Sequence, residues 1–354
     1  MKIVYIVGAR PQLVKHALLS KELGKYHKNI LIHTGQHYDY NMNKVFFEEL
    51  GLSDPDYNLG VGSGTHGYQT GEMLKRIEDI LIIEKPDMVI IYGDTNSTLA
   101  GALCAAKLHI ILGHVEAGVR NYDKTIPEEI NRITADHCSD YLFCPTNTAV
   151  KNLRKEGIKK GVYLTGDVMV DTLKLFKKYA DQTKIIEDLR LNHKDYILLT
   201  IHRAGNTDNV ENLVRIAQAI EFIHKAGETI VFPAHPRTLK ALKNQGLSET
   251  ISKSTVLLEP QGYFEFINLL NNAKKVITDS GGVQKEAYIL KVPCITLLDN
   301  TSWIETVDDG WNILAGTDVK KIVEAALNFR NHNTYSNIFG EGACKRIANV
   351  LRSI

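Results

Sequence analysis

A chain of 354 residues is longer than one hydrophobic core ordinarily serves, so two domains are expected. Its 44% hydrophobic and 23% charged residues describe a globular protein, and a formal net charge of +1 leaves no basic field for a nucleic-acid backbone or an anionic membrane. A small molecule is the expected partner.

In chain order, apolar runs recur as IVYIVG from Ile3, ILIHTG from Ile30, DMVIIYGD from Asp87, HIILGHVEAG from His109 and DYLFCPT from Asp140. Amphipathic segments separate them, the pattern of buried parallel strands in an α/β sheet. From Gly166 to His193 the sequence is charged and helical in pattern, with no strand, which marks an interdomain hinge. The scheme then restarts with DYILLTIH from Asp195, ETIVFPAH from Glu228, STVLLEP from Ser254, KKVITDS from Lys274 and VPCITLLD from Val292. The expected fold class is α/β, two doubly wound sheets facing each other, with domains at 1–168 and 169–339 and a final amphipathic helix in 340–354.

The five cysteines, Cys104, Cys138, Cys144, Cys294 and Cys344, are odd in number and form no C-x-x-C pair, which argues for reduced thiols over disulfides or zinc. No stretch approaches the ~20 apolar residues of a membrane span, and the opening MKIVYIVGARPQ is too short in apolar residues for a signal peptide. A cytoplasmic location is expected.

Ligands of open parallel sheets bind beyond the carboxyl ends of the strands. The polar residues there are Arg10 and Lys15, Gln36 and His37, Asp94, His114 and Glu116, His202 and Arg203, His235 and Arg237, and Asp279 with Ser280. In TDSGGVQKEAY a strand ends at Ser280, Gly281 and Gly282 admit a ligand close to the backbone, and a helix N-terminus follows that favours an anion. It is either a diphosphate site or a tight turn that uses glycine for geometry alone. Glu286, about one turn on, can accept hydrogen bonds from a ribose diol, so a nucleotide satisfies both features. The first strand leads instead into Gly8-Ala9-Arg10-Pro11, without the G-x-G-x-x-G of a dinucleotide site, so no NAD is expected.

Arg10 and Lys15 are either a cationic hold on a diphosphate or solvated surface. Asp94 either serves chemistry or caps the helix after it, whereas Glu116, before Ala117-Gly118, has no capping role. Glu128 and Glu129 open a helix after Pro127, where acidic residues suit the dipole anyway. No H-E-x-x-H arrangement favours a metal, and no cofactor is expected. Carboxylates and histidines at strand ends then point to proton transfer on a nucleotide-linked substrate.

The segments VGARPQLVK, GDTNSTLAGALCAA, HVEAGVR, IPEEINR, TIHRAGN and TDSGGVQKEA resemble, in order and across nearly the whole chain, the motifs of the non-hydrolysing UDP-N-acetylglucosamine 2-epimerases. The resemblance implies the GT-B architecture of two facing Rossmann-like domains, a C-terminal helix crossing back to the first domain, a homodimer, and neither NAD nor metal. It implies epimerisation at C2 of a UDP-linked 2-acetamido sugar, by elimination of UDP to a 2-acetamido glycal and re-addition. Carried over by motif, Asp94, Glu116, Glu128 and His202 are the catalytic candidates, with Arg10, Lys15, His235, Ser280, Gly281, Gly282 and Glu286 on UDP or substrate.

Two departures bear on the substrate. Where the family shows T-E-R-P-E this chain reads Thr301-Ser302-Trp303-Ile304-Glu305, which makes Trp303 the specificity position and leaves an arginine unreplaced. Where allosterically activated members carry Q-H-R-[QE]-M-L-D-Q, it reads Gln36-His37-Tyr38-Asp39-Tyr40-Asn41-Met42, so that activation is not expected. GARPQ and the tryptophan resemble the branch acting on UDP-2,3-diacetamido-2,3-dideoxy-glucuronate, which is favoured slightly over UDP-N-acetylglucosamine. A GT-B glycosyltransferase, a hydrolysing epimerase and a non-catalytic UDP-sugar sensor are the alternatives.

Overall fold

The computed structural model describes residues 1–36, 47, 49–331 and 334–353. They form two compact units, one of Met1–Leu175 with Phe339–Ile354, the other of Phe176–Ile338.

The first unit is built on a parallel sheet of β1 (Lys2–Val7), β2 (Lys28–His33), β3 (Tyr57–Asn58), β4 (Met88–Tyr92), β5 (Ile111–Val115), β6 (Tyr141–Cys144) and β7 (Val162–Leu164), in the order β3-β2-β1-β4-β5-β6-β7. Val4 to Val7 and Met88 to Tyr92 are fully buried, which explains runs that are apolar without alternation. Against one face pack Met73 and Ile77 of the helix His66–Glu84 and Ala100, Ala102 and Ala105 of the helix Asn96–Lys107.

The helix Ala343–Arg352 returns to this unit and lies against the helix Arg10–Leu23. Asp171 accepts its first N–H groups, from Gly342 at 2.6 Å and Cys344 at 2.9 Å, and Ile347 and Leu351 are fully buried. Asp171 itself sits on the helix Val168–Ala180, inside the segment expected to be helical.

The second unit holds β8 (Tyr196–Thr200), β9 (Thr229–Pro233), β10 (Val256–Leu258), β11 (Lys275–Thr278), β12 (Cys294–Thr296) and β13 (Asn312–Leu314), again parallel, in the order β10-β9-β8-β11-β12-β13. Ile197, Leu199, Phe232, Ile277 and Ile295 pack on Ile216, Ile220 and Ile223 of the helix Val210–Lys225. The α/β expectation holds, and all ten apolar runs form strands. The strands not expected, β3, β7 and β13, are sheet edges of two or three residues with partly exposed side chains, too short to leave an apolar run.

Strand order reverses between β1 and β4 in one sheet and between β8 and β11 in the other. Such switch points open crevices at the carboxyl ends of the strands. Among the described residues, no helix is long and apolar enough to cross a membrane. All five cysteines are free thiols, and all but Cys138 are buried.

Candidate active site

At the β1/β4 switch point the chain turns at Gly8, where a Cβ would stand 2.1 Å from both Ser97 Oγ and Thr34 Oγ1. The turn needs no second glycine because Gln12 closes it: its Oε1 accepts the N–H groups of Gly8 at 2.8 Å and Ala9 at 3.1 Å, and its Nε2 donates to the Tyr92 carbonyl at 2.8 Å. Arg10 follows, half-buried, as the first residue of the helix Arg10–Leu23.

One turn along, Lys15 is buried, not solvated. Its Nζ lies 2.7 Å from Oε2 of Glu116, beyond β5. The Glu116 backbone has φ 76°, a region that a side chain disfavours and that often marks functional strain. A buried network holds that turn. Asp136 accepts from the Gly118 N–H at 3.0 Å, from His114 Nδ1 at 2.7 Å and from Arg120 Nη1 at 2.6 Å, while Arg120 forks onto Glu156. Burial pushes the Asp136 carboxyl upward, but His114 and Arg120 outweigh it and hold the carboxyl below its ordinary range.

Asp94, just past β4, is gripped from a helix. Arg132, on the helix Pro127–Cys138, donates Nη2 to Asp94 Oδ2 and Nη1 to Glu129 Oε2 at 2.7 Å. Burial acts to lower the Arg132 pKa, yet the two carboxylates raise it above its ordinary value. Asn131 donates to the Asp94 carbonyl at 2.9 Å. Thr95, not Asp94, caps the helix Asn96–Lys107. Glu129 is fully buried and accepts the Tyr122 N–H at 2.8 Å, whereas Glu128 is exposed, with no ion pair among the described residues.

At the β8/β11 switch point Asp279 organises the turn. Fully buried, it accepts the N–H groups of His202 at 3.1 Å and Arg203 at 3.0 Å and the Asn206 amide at 3.1 Å, and it lies 3.4 Å from His202 Nδ1. The His202 side chain itself is half exposed. Ser280 caps the helix Gly281–Ile289 by accepting the Val283 N–H at 3.4 Å, and Gly281 and Gly282 form the first turn. Glu286 is nearly buried and accepts the Tyr263 hydroxyl at 3.3 Å. Burial first, and Glu286 second, push the Tyr263 pKa well above its usual value.

Trp303 is buried too. His235 is exposed and caps the helix Pro236–Asn244, and Arg237 pairs with Asp208 at 2.6 Å. His37 to Met42 lie outside the described residues. Among those described, no cluster of three or more His, Cys, Asp or Glu side chains could hold a metal.

Sequence reasoning passed over Gln12, Arg120, Arg132 and Asp136. For Arg132 and Asp136 the signal lies in the helix PEEINRITADHC, where Glu129, Arg132 and Asp136 recur at helical spacing and are buried while Ile130 is 50% exposed. A helix with its charges turned inward holds a polar site, not an apolar core.

Two α/β units, each built on a parallel sheet, one with carboxylates paired to cations at its switch point and the other with a glycine turn, suit an enzyme acting on a nucleotide-linked substrate. The family model for UDP-N-acetylglucosamine 2-epimerase matches residues 21–352. A UDP-N-acetylglucosamine 2-epimerase homolog of Methanococcus maripaludis is 55% identical over 100% of both chains. UDP-2,3-diacetamido-2,3-dideoxy-D-glucuronate 2-epimerase of Pseudomonas aeruginosa is 43% identical, again over 100% of both. The crystal structure of Methanocaldococcus jannaschii UDP-GlcNAc 2-epimerase in complex with UDP-GlcNAc and UDP superposes with a TM-score of 0.95 at 46% identity, covering 100% of each chain. The chain belongs to the UDP-N-acetylglucosamine 2-epimerase family, and the enzyme is an isomerase.

Proposed function

We propose that the enzyme inverts C2 of a UDP-linked 2-acetamido sugar, gluco to manno, without net hydrolysis. The supporting observation is the pair of carboxylates, Asp94 and Glu116, beyond the neighbouring strands β4 and β5, each tied to a buried cation from a different helix. A base takes the C2 proton while the C1–O bond breaks, and the bonding electrons leave with UDP to give a 2-acetamido glycal. UDP then re-adds at C1 as a proton reaches C2 from the opposite face. No carbonyl acidifies C2–H, so stabilising the departing diphosphate carries much of the barrier. Arg10, the Ser280 to Gly282 turn and its helix dipole serve that end, with Glu286 on the ribose.

Asp94 is the C2 base in this scheme, and Arg132 aims it. Glu116 and Glu128 relay or deliver the return proton, and His202 assists the diphosphate oxygen. Exposure leaves Glu128 able to move, and Lys15 gives Glu116 a partner with which to share charge as the proton passes.

UDP-2,3-diacetamido-2,3-dideoxy-glucuronate is the favoured substrate, supported by the GARPQ opening, Trp303 and the 43% identical Pseudomonas relative. UDP-N-acetylglucosamine comes second, supported by the Methanocaldococcus structure. Incubating the protein with each in D2O, with NMR of the products, tests the scheme. The expected product is the manno epimer, still UDP-linked and deuterated at C2, with exchange abolished in Asp94→Asn. Release of free sugar, or epimers without deuterium, overturns it. The proposal includes a homodimer, which light scattering checks.

A further inference from the structure

Lys285 occupies a depth at which lysine is seldom found. It is 1% exposed, in the middle of the helix Gly281–Ile289, and an ammonium so placed needs compensation. Part of that compensation is the face of Trp303, whose ring centroid is 4.2 Å from the Lys285 Nζ, well within cation–π range. The tryptophan is itself pinned. Its backbone N–H donates to Thr301 Oγ1 at 3.1 Å, the Thr301 hydroxyl donates to Gln284 Oε1 at 2.6 Å, and the Thr306 hydroxyl donates to the Trp303 carbonyl at 2.7 Å.

The edge of the same ring reaches the helix tip. A Cβ built on Gly281 would stand 3.5 Å from Trp303 Nε1 and 3.9 Å from Arg203 Nη2. An indole Nε1–H can only donate, and this one lies beside the first residue of a helix whose open N–H groups favour an anion. One face of the ring therefore meets a buried cation while its polar edge adjoins the glycine turn.

We propose that Lys285 and Trp303 form one element, in which the buried ammonium fixes and polarises the indole and the indole N–H donates to the diphosphate of the bound UDP-sugar beside Gly281. This inference rests on the UDP reading given above. Trp303 is the group that touches the ligand, and Lys285 is a positioning residue that acts through it. The residue at the specificity position thus binds the leaving group as well. The hydrogen bond gains strength as negative charge develops on the departing diphosphate, so it favours the transition state over the bound substrate.

Binding of UDP and of uridine to the full chain, by calorimetry and ligand-observed NMR, tests the element. Trp303→Phe keeps a ring over the ammonium but lacks the donor. It is expected to weaken UDP about tenfold, the loss of one hydrogen bond to a charged group, and to leave uridine unchanged. Lys285→Met is expected to weaken UDP selectively and Lys285→Arg to restore it. In Trp311→Phe, where Trp303 is the remaining one of the chain's 2 tryptophans, UDP is expected to change the emission and uridine is not. Wild-type UDP affinity in Trp303→Phe overturns the inference, as does a proportional loss of UDP and uridine, which is the mark of a purely structural ring. Should Lys285→Met fail to fold, the Trp303→Phe and emission results decide. A wild-type chain that binds neither ligand refutes the UDP reading itself.

Discussion

Replacing Arg132 with methionine removes the cation shared by Asp94 and Glu129 while keeping much of the side chain's length. The two ends differ in weight. Glu129 is fully buried, and its other partners among the described residues are the backbone N–H groups of Asn121 and Tyr122, so it would carry its charge without a cation from among them. Stranding one member of a buried ion pair costs about 3–5 kcal/mol. Asp94, with 30% of its side chain exposed, adds at most ~1 kcal/mol, the usual worth of a solvent-screened pair. The expected loss of about 3–5 kcal/mol is a large share of a typical domain stability of ~5–15 kcal/mol. Both tryptophans lie in the second unit, so urea unfolding followed by circular dichroism should move while the tryptophan signal moves less. Adding Glu129→Gln removes the stranded charge and should recover about 1–2 kcal/mol. A single variant within ~1 kcal/mol of wild type, or a double variant with no recovery, would show that water reaches Glu129 and that the pair is not a buried one.

Asp279→Asn places an amide nitrogen among the donors from His202, Arg203 and Asn206, and should cost about 1–3 kcal/mol and weaken UDP, read by urea unfolding and calorimetry. Burial lowers the His16 pKa from 6.5 to about 3, so between those values the unfolded chain binds a proton that the folded chain refuses. The stabilising term is complete above pH 6.5 and drains away by about 1.4 kcal/mol per unit as pH falls toward 3. His16→Gln should therefore show a flatter stability profile than wild type from pH 7 to 4 in denaturant titrations. Gly118→Ala would force a side chain onto φ 79° with its Cβ 2.4 Å from the Ala149 carbonyl oxygen. The turn carrying Glu116 should shift, with a loss of about 2–4 kcal/mol by calorimetry and a fall in turnover.

The interior strands were legible because a strand covered on both faces must be apolar throughout, as β1 and β4 are. Edge strands such as β7 and β13 face water on one side and pair on one edge, so neighbouring backbone, more than composition, makes them strands. Strand-end logic brought out Asp94, Glu116 and Asp279, since position in the sheet follows from where an apolar run stops. It could not bring out the side chains that hold them. Arg132 meets Asp94 across 38 positions of sequence, and Gln12 meets Tyr92 across 80. Lys15 was open to reading as surface because its partner lies in the turn after β5, about a hundred residues on, and only folding brings them to 2.7 Å.

The return of residues 339–353 to the first unit has a consequence for biosynthesis. On the ribosome the second unit, contiguous from Phe176 to Ile338, emerges whole, whereas the first must wait for a helix that follows it in the chain. Until then the helix Arg10–Leu23 lacks the neighbour that supplies Ile347 and Leu351, and a chain stopped near residue 338 would carry a finished second unit beside a first with a raw apolar face. The unit carrying Asp94 and Glu116 is therefore sealed only after the second unit has emerged.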